Sequence, residues 1–223
     1  MVTELFITGQ GQDRHFDVAR QAADQGAVVH HVSGAVMAEL AQTITPQGLV
    51  AVCRFVDVPL GALLSAAPRL VAVLASVRDP GNAGTVLRTA DAAGAAGVIF
   101  SAASVDPYNA KCVRSSAGSL FHLPVVAGAP LAEAIAGLRQ AGLQVLAADG
   151  RATVLLDGSA TGPDLSRPTA WLFGNEAWGL PDDLLDLADA AVAVPIYGRA
   201  ESLNLAAAAA VCLYASARHA SAR

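Results

Sequence analysis

Three cysteines, Cys53, Cys112 and Cys212, are all that this chain of 223 residues contains. Their number is odd and their spacing wide, so neither a disulfide framework nor a metal-ligand spacing is visible, and a reducing cytoplasm is expected. Basic charge is also scarce. Lys and Arg total 14 against 19 acidic residues, for a formal net charge of -5 and a pI near 5.4. That balance argues against a strongly basic nucleic-acid binder, because neutralising phosphates takes an excess of cations. The opening "MVTELFITGQGQDRHF" has no basic segment followed by an apolar stretch of secretory length, so no export signal is expected. No apolar run reaches the roughly 20 residues that a bilayer-spanning helix takes. The longest, "LNLAAAAAVCLYASA" from Leu203, is dominated by alanine and reads as a packed helix. No dinucleotide fingerprint is present either, since "GQGQDR" near Gly9 is a lone glycine pair. No membrane and no metal partner are expected.

What the chain does have is apolar bulk. It is 54% hydrophobic and 15% charged, enough for a sizeable core in one large or two small domains. Strand-like runs at "ELFIT", "VVHHVS" and "LVAVCRF" alternate with helical spacing over "RHFDVARQAADQG" and "GAVMAELAQ", which gives a small first unit. A linking segment, "VDVPLGALLSAAP", ends near residue 68. Beyond it, near-continuous apolar runs recur at "LVAVLASV", "GVIFSA", "LPVVAG", "LQVLAAD", "TAWLFG" and "AAVAVPI", mostly with helical stretches between them. Such runs indicate a parallel sheet covered on both faces. The expected domains are 1–68 and 69–223, and periodicity alone gives the second an ordinary Rossmann-like sheet.

Three polar stretches interrupt the second domain at strand ends, where open parallel sheets place their ligand sites. In "SVRDPGNAGTVLRTADAAGA", Asp79, Pro80 and Gly81 form a turn, and Asn82 is expected to cap a helix that carries Arg88 about one and two-thirds turns further on. A capped helix with a solvated arginine is the plain alternative. In "WLFGNEAWGLP", Gly174 and Gly179 permit a sharp turn or a close approach, and Glu176 sits at a helix start or pairs with a cation. In "VPIYGRAESLNLAAAAAV", Ser202 with Asn204 opens the last helix, and capping by Ser202 is the simplest role. Ser202 has no Ser-His-Asp partner set and lacks a nucleophile elbow, so serine hydrolysis is set aside.

Together, "NAGTVLRTA", "LFGNEAWGLP" and "VPIYGRAESLNLAAAAAV" resemble the three motifs of the SpoU (TrmH) family of S-adenosylmethionine-dependent RNA 2'-O-ribose methyltransferases, in the same order and spacing. Similarity through "NAKCVRSSAGSLFHLPV" extends the resemblance over residues 70 to 216. The resemblance implies a C-terminal trefoil knot, which periodicity does not show, and a homodimer with active-site groups gathered at the subunit interface. It implies a methyl donor, S-adenosylmethionine, held largely by backbone groups, with Gly174, Val194 and Leu203 as contacts and Ile196 nearby. A pocket of glycine and aliphatic side chains suits an adenine ring.

The family's polar positions fall on Asn82, Arg88, Glu176, Ser202 and Asn204. The implied chemistry is attack of a ribose 2'-hydroxyl on a sulfonium methyl, so a group must take the proton or stabilise the developing alkoxide. Arg88 is placed at the reacting centre, either as base or as a cation that also positions a phosphate; a guanidinium stays protonated under ordinary conditions, which weighs against the base. Glu176 is expected to fix the network rather than to accept the proton. Asn82, Ser202 and Asn204 are expected to orient Arg88 and the ribose.

The first domain resembles that family's small RNA-binding module, with "TPQGLVAVCRF" as its closing segment. Family members carry an additional stretch, including a helix, before the strand at "ELFIT", so an N-terminally shortened module is expected. Arg78, Arg88, Lys111, Arg114 and Arg199 are expected to form a local RNA-binding patch on an acidic protein, with Asp182, Asp183, Asp186 and Asp189 gathered elsewhere. RNA, ribosomal in preference to transfer RNA, is the expected partner. A Rossmann-type nucleotide-dependent enzyme and a non-catalytic RNA-binding protein are the alternatives.

Overall fold

The computed structural model describes residues 1–159 and 161–220. The chain divides into two compact units, Met1–Phe55 and Val56–Arg223.

The first unit is built from β1 (Val2–Ile7), α1 (Gly9–Arg14), α2 (Phe16–Asp24), β2 (Val28–His31), α3 (Gly34–Ala41) and β3 (Leu49–Cys53). Its sheet runs β2-β1-β3, with β2 parallel and β3 antiparallel to the central β1. Alternation along β1 sends Leu5 and Ile7 inward, where Ala19 of α2 packs on them. The glycine-rich "GQGQDR" forms helix α1. Thr8 caps it by accepting the Gly11 N–H at 3.0 Å. Gly11 is pressed against the Gly48 backbone, where a side chain has no room. Close packing is therefore what its glycine serves.

The second unit begins with α4 (Leu60–Ser65) and continues with β4 (Leu70–Leu74), α5 (Pro80–Ala92), β5 (Gly97–Ser101), α6 (Ala110–Ser115), a 3-10 turn (Ser119–Phe121) and β6 (Val125–Ala129). There follow α7 (Leu131–Gln140), β7 (Gln144–Ala148), β8 (Val154–Leu155), β9 (Thr169–Phe173), α8 (Asp182–Leu185), β10 (Ala190–Ala193) and α9 (Leu205–Ala220). The linking segment belongs to this unit and does not close the first one, contrary to the expected boundary at 68. The Val58 N–H donates to the Val125 carbonyl at 2.8 Å, and Leu63 of α4 is fully buried on the sheet.

Every pair in the seven-stranded sheet is parallel, in the order β6-β5-β4-β9-β7-β10-β8. The strands split their side chains by parity. Ala72, Leu74, Phe100, Trp171 and Phe173 pack on one face against α5 and α9, while Val71, Val73, Ile99, Ala170 and Leu172 pack on the other against α4 and α7. This accounts for the unbroken apolar runs in the sequence. Trp171, fully buried, donates its indole N–H to Ser216 of α9 at 2.9 Å, so its one polar atom is satisfied inside the core.

The order departs from an ordinary Rossmann-like sheet. The first three strands lie consecutively, but the two late strands β9 and β10 enter on either side of β7. The chain then returns in α9 to α5, β9 and β4 at the middle of the sheet. This is a topology in which a C-terminal segment can thread an earlier loop, as the expected knot demands. Among the described residues, no helix is long and apolar enough to cross a membrane.

Candidate active site

Three loops leave the carboxyl ends of β4, β9 and β10: 75–79, 174–181 and 194–204. Parallel pairing puts these ends on one edge of the sheet, with β4 beside β9 and β10 one strand further on across β7, and hydrogen bonds tie the loops together.

The first loop leads into α5. Its cap is Asp79, not Asn82 as expected: the Asp79 carboxylate accepts the Asn82 N–H at 2.7 Å, and Pro80 fills the first turn, where its missing N–H costs nothing. Lys111 pairs with the other Asp79 oxygen at 3.0 Å. The Asn82 N–H, followed by Lys111, holds the Asp79 carboxyl below its usual range. Relieved of capping, Asn82 turns its side chain to the other two loops.

The second loop is closed by reciprocal backbone hydrogen bonds of 2.9 Å between Asn175 and Gly179. Gly179 takes φ +72°, a left-handed conformation that favours glycine. A Cβ on Gly174 would stand 2.5 Å from the Gly179 carbonyl carbon, so position 174 has space only for hydrogen. The buried Asn175 amide donates to the Ser76 carbonyl at 2.9 Å and its oxygen accepts the Ala177 N–H at 2.8 Å. At the tip, Glu176 gathers three donors: the Arg78 N–H at 3.4 Å, the Asp79 N–H at 3.3 Å and the Asn82 amide at 3.2 Å. This carboxylate faces the start of α5, where the helix dipole and free N–H groups favour negative charge.

In the third loop, Asn204, not Ser202, caps the last helix by accepting the Ala206 N–H at 2.9 Å. Its amide donates to the Asn82 oxygen at 3.1 Å. Asn82 therefore links Glu176 to Asn204 across all three loops.

A cavity of about 400 Å³ opens beside this network. Gly174, Val194, Ile196 and Leu203 all line it, as do Asn82, Glu176, Ser202 and Asn204. Arg88 does not. It is exposed on α5, makes no hydrogen bond or ion pair with a described residue, and lies about 240° around the helix from Asn82 at 100° per residue. The chain thus brings together every expected site residue except the arginine.

Two contributors were not singled out in the sequence. Asn175 stands within the second motif, where an Asn able to bond the backbone two residues on signals a turn. Asp149 ends the strand run "LQVLAAD" at the same sheet edge and also lines the cavity. Arg151 grips its carboxylate at 2.8 and 3.1 Å, which holds Asp149 below the usual carboxylate range, and donates to the Leu180 carbonyl at 3.3 Å. This couples the end of β7 to the second loop.

The cavity has apolar walls from Phe173, Val194, Ile196 and Leu203 and carboxylates from Asp149, Glu176 and Glu201. Its volume lies within the range of small-molecule sites. Gly174, which has no space for a Cβ, keeps a stretch of backbone open at its wall. These features fit a cationic sulfonium nucleoside such as S-adenosylmethionine. Among the described residues, no group of three or more His, Cys, Asp or Glu could hold a metal.

The chain belongs to the SpoU rRNA Methylase family, which residues 69–214 match; residues 1–59 match the RNA 2'-O ribose methyltransferase substrate binding family. It is 36% identical over 192 residues to the 23S rRNA (guanosine(2553)-2'-O)-methyltransferase RlmP of Bacillus subtilis, covering 86% of this chain and 73% of that protein. It is 31% identical to the 23S rRNA (guanosine-2'-O-)-methyltransferase RlmB of Bordetella pertussis, covering 97% of this chain and 89% of the relative. Among solved structures, the AdoMet-bound rRNA methyltransferase of Sinorhizobium meliloti superposes with a TM-score of 0.84 at 34% identity, covering 98% of this chain and 80% of that one.

Proposed function

We propose that this chain is an S-adenosylmethionine-dependent methyltransferase acting on a ribose 2'-hydroxyl of RNA, with 23S ribosomal RNA as substrate. The observation that carries this reading is the Glu176–Asn82–Asn204 network at the edge of a cavity lined by all four expected donor-contacting residues. Relatives named for 2'-O-methylation of 23S rRNA cover most of the chain and support the choice of substrate.

When bound, S-adenosylmethionine supplies an electrophilic methyl on a sulfonium. The protein's part is to bind, orient and stabilise. Gly174 and the 194–204 loop enclose the donor, with Leu203 and Val194 as apolar walls. Glu176 fixes the β4–α5 loop against the 174–181 loop, so that Asn82 presents its amide at a set place. Ser202 lines the cavity and makes no hydrogen bond to a described residue, which leaves its hydroxyl free for substrate. Arg88 pairs with no described residue, and its guanidinium binds a phosphate and stabilises the alkoxide as the hydroxyl proton leaves.

Because Arg88 faces away from its own chain's cavity, the working enzyme is a homodimer in which the partner's Arg88 completes the site. The reaction takes place in the cytoplasm, with its RNA. The test supplies the chain with S-adenosylmethionine labelled in the methyl group and an unmodified 23S rRNA transcript. The expected result is label at a single linkage resistant to alkaline cleavage; label on a base instead would overturn the reading.

A further inference from the structure

Trp178 stands at the tip of the loop that Asn175 and Gly179 close, and it is 55% exposed. Leaving so large a ring in water forgoes the burial that stabilises aromatic side chains elsewhere in the fold. It is also held firmly. Asn175 ties its loop to Ser76, and Glu176 ties it to the backbones of Arg78 and Asp79. The Arg78 guanidinium lies over the indole with its central carbon 5.3 Å from the ring centroid. Arg78 is itself exposed and forms no ion pair with a described residue. A charged plane is thus stacked on an aromatic one at the rim of the active site, two residues from Glu176, and no described residue pairs with the charge.

We infer that Trp178 and Arg78 form a stacking clamp for an RNA base next to the methylated ribose, a role resting on the methyl-transfer reading above. The guanidinium covers one indole face and the base takes the other. Every base presents a π-face, so indole stacking holds single-stranded RNA without hydrogen-bond readout, and an adjacent arginine adds attraction for the phosphate. RNA is favoured over a protein surface by charge. Arg78 is joined by the likewise exposed Arg114 on α6, which packs against α5 beside this loop, while Lys111 of the same helix is paired with Asp79. The position also matters: for a 2'-hydroxyl to reach the Asn82–Glu176 edge of the cavity, its nucleotide has to leave a helix, and an unstacked neighbour then finds a replacement partner at the rim.

The chain has two tryptophans, and Trp171 is fully buried, so acrylamide quenching of the folded protein reports on Trp178. We expect an unmodified 23S rRNA transcript to shield that fluorescence and S-adenosylmethionine alone to leave it accessible. Trp178→Ala is expected to raise KM for the transcript about tenfold, with donor affinity by calorimetry unchanged within about twofold, and Trp178→Phe to restore most of the loss. An active wild type with an unchanged KM in Trp178→Ala would overturn the clamp and leave methyl transfer standing. A wild type that methylates no RNA would remove the underlying reading, and the clamp with it. A Trp178→Ala protein sedimenting at half the wild-type mass would assign the ring to a subunit contact instead.

Discussion

The side-chain amide of Asn82 lies 3.2 Å from the Glu176 carboxylate although 94 residues separate them in the chain. That bond joins the loop after β4 to the loop after β9. The acid between two glycines is therefore a staple between loops, with its oxygens turned to the start of α5.

Glu176→Ala removes the acceptor for all three donors. Hydrogen bonds to charged groups contribute about 1.5–3 kcal/mol each when shielded, less at an exposed site. We expect kcat to fall about tenfold to a hundredfold, corresponding to about 1.4–2.7 kcal/mol of transition-state stabilisation. The melting temperature should move by only a few degrees. Steady-state kinetics beside a thermal melt would separate lost positioning from lost folding.

Gly174→Ala forces a methyl group into the Gly179 and Leu180 backbone. Overpacking of this kind costs about 1–3 kcal/mol, and relief requires the loop to open. Donor affinity, read by calorimetry, should drop at least tenfold. Unaltered affinity would mean that this loop does not wall the donor site.

Parallel-strand runs, both covered faces and the three site loops were legible in the sequence because burial and strand-end punctuation are local signals. The caps were not. Asp79 and Asn82 are both good caps, and the choice between them is set by Pro80, which starts the helix three residues earlier than a cap at Asn82 would, and by Glu176, which claims the Asn82 side chain. At the last helix, Asn204 caps because α9 starts at Leu205. "VDVPLGALLSAAP" reads as a linker in the sequence, and only the sheet shows Leu63 packed within the second compact unit. Strand order depends on long-range pairing, which periodicity does not encode, whereas the separation of Arg88 from Asn82 follows from their six-residue spacing on α5.

Asp79 caps α5 and pairs with Lys111, so its carboxyl ionises below the usual range in the folded protein. Its stabilising contribution is fully present above the unfolded-state value and is lost as pH falls through the lower folded value. Asp79→Ala should therefore be less stable by about 1 kcal/mol at neutral pH. The gap should close in acid below about pH 4. Urea denaturation at several pH values would show this narrowing, and a constant gap would contradict it.

Burial pushes the Cys112 thiol up to about 11 and the Cys212 thiol up to about 12, whereas Cys53 is half-buried. Only thiolates react readily with disulfide reagents. At pH 8 one thiol, Cys53, should react in the native protein, and all three after unfolding. Rapid native reaction at a second site would show that the core around α6 or α9 opens.

In the proposed reaction a sugar oxygen meets the donor methyl beside the Arg88 guanidinium. This is tested most directly by measuring methyl transfer to an unmodified 23S rRNA transcript and donor affinity together in wild type and Arg88→Ala. Transfer is expected to fall by at least a hundredfold, about 2.7 kcal/mol, while the donor dissociation constant stays within about threefold. An Arg88→Ala enzyme as active as wild type would contradict it.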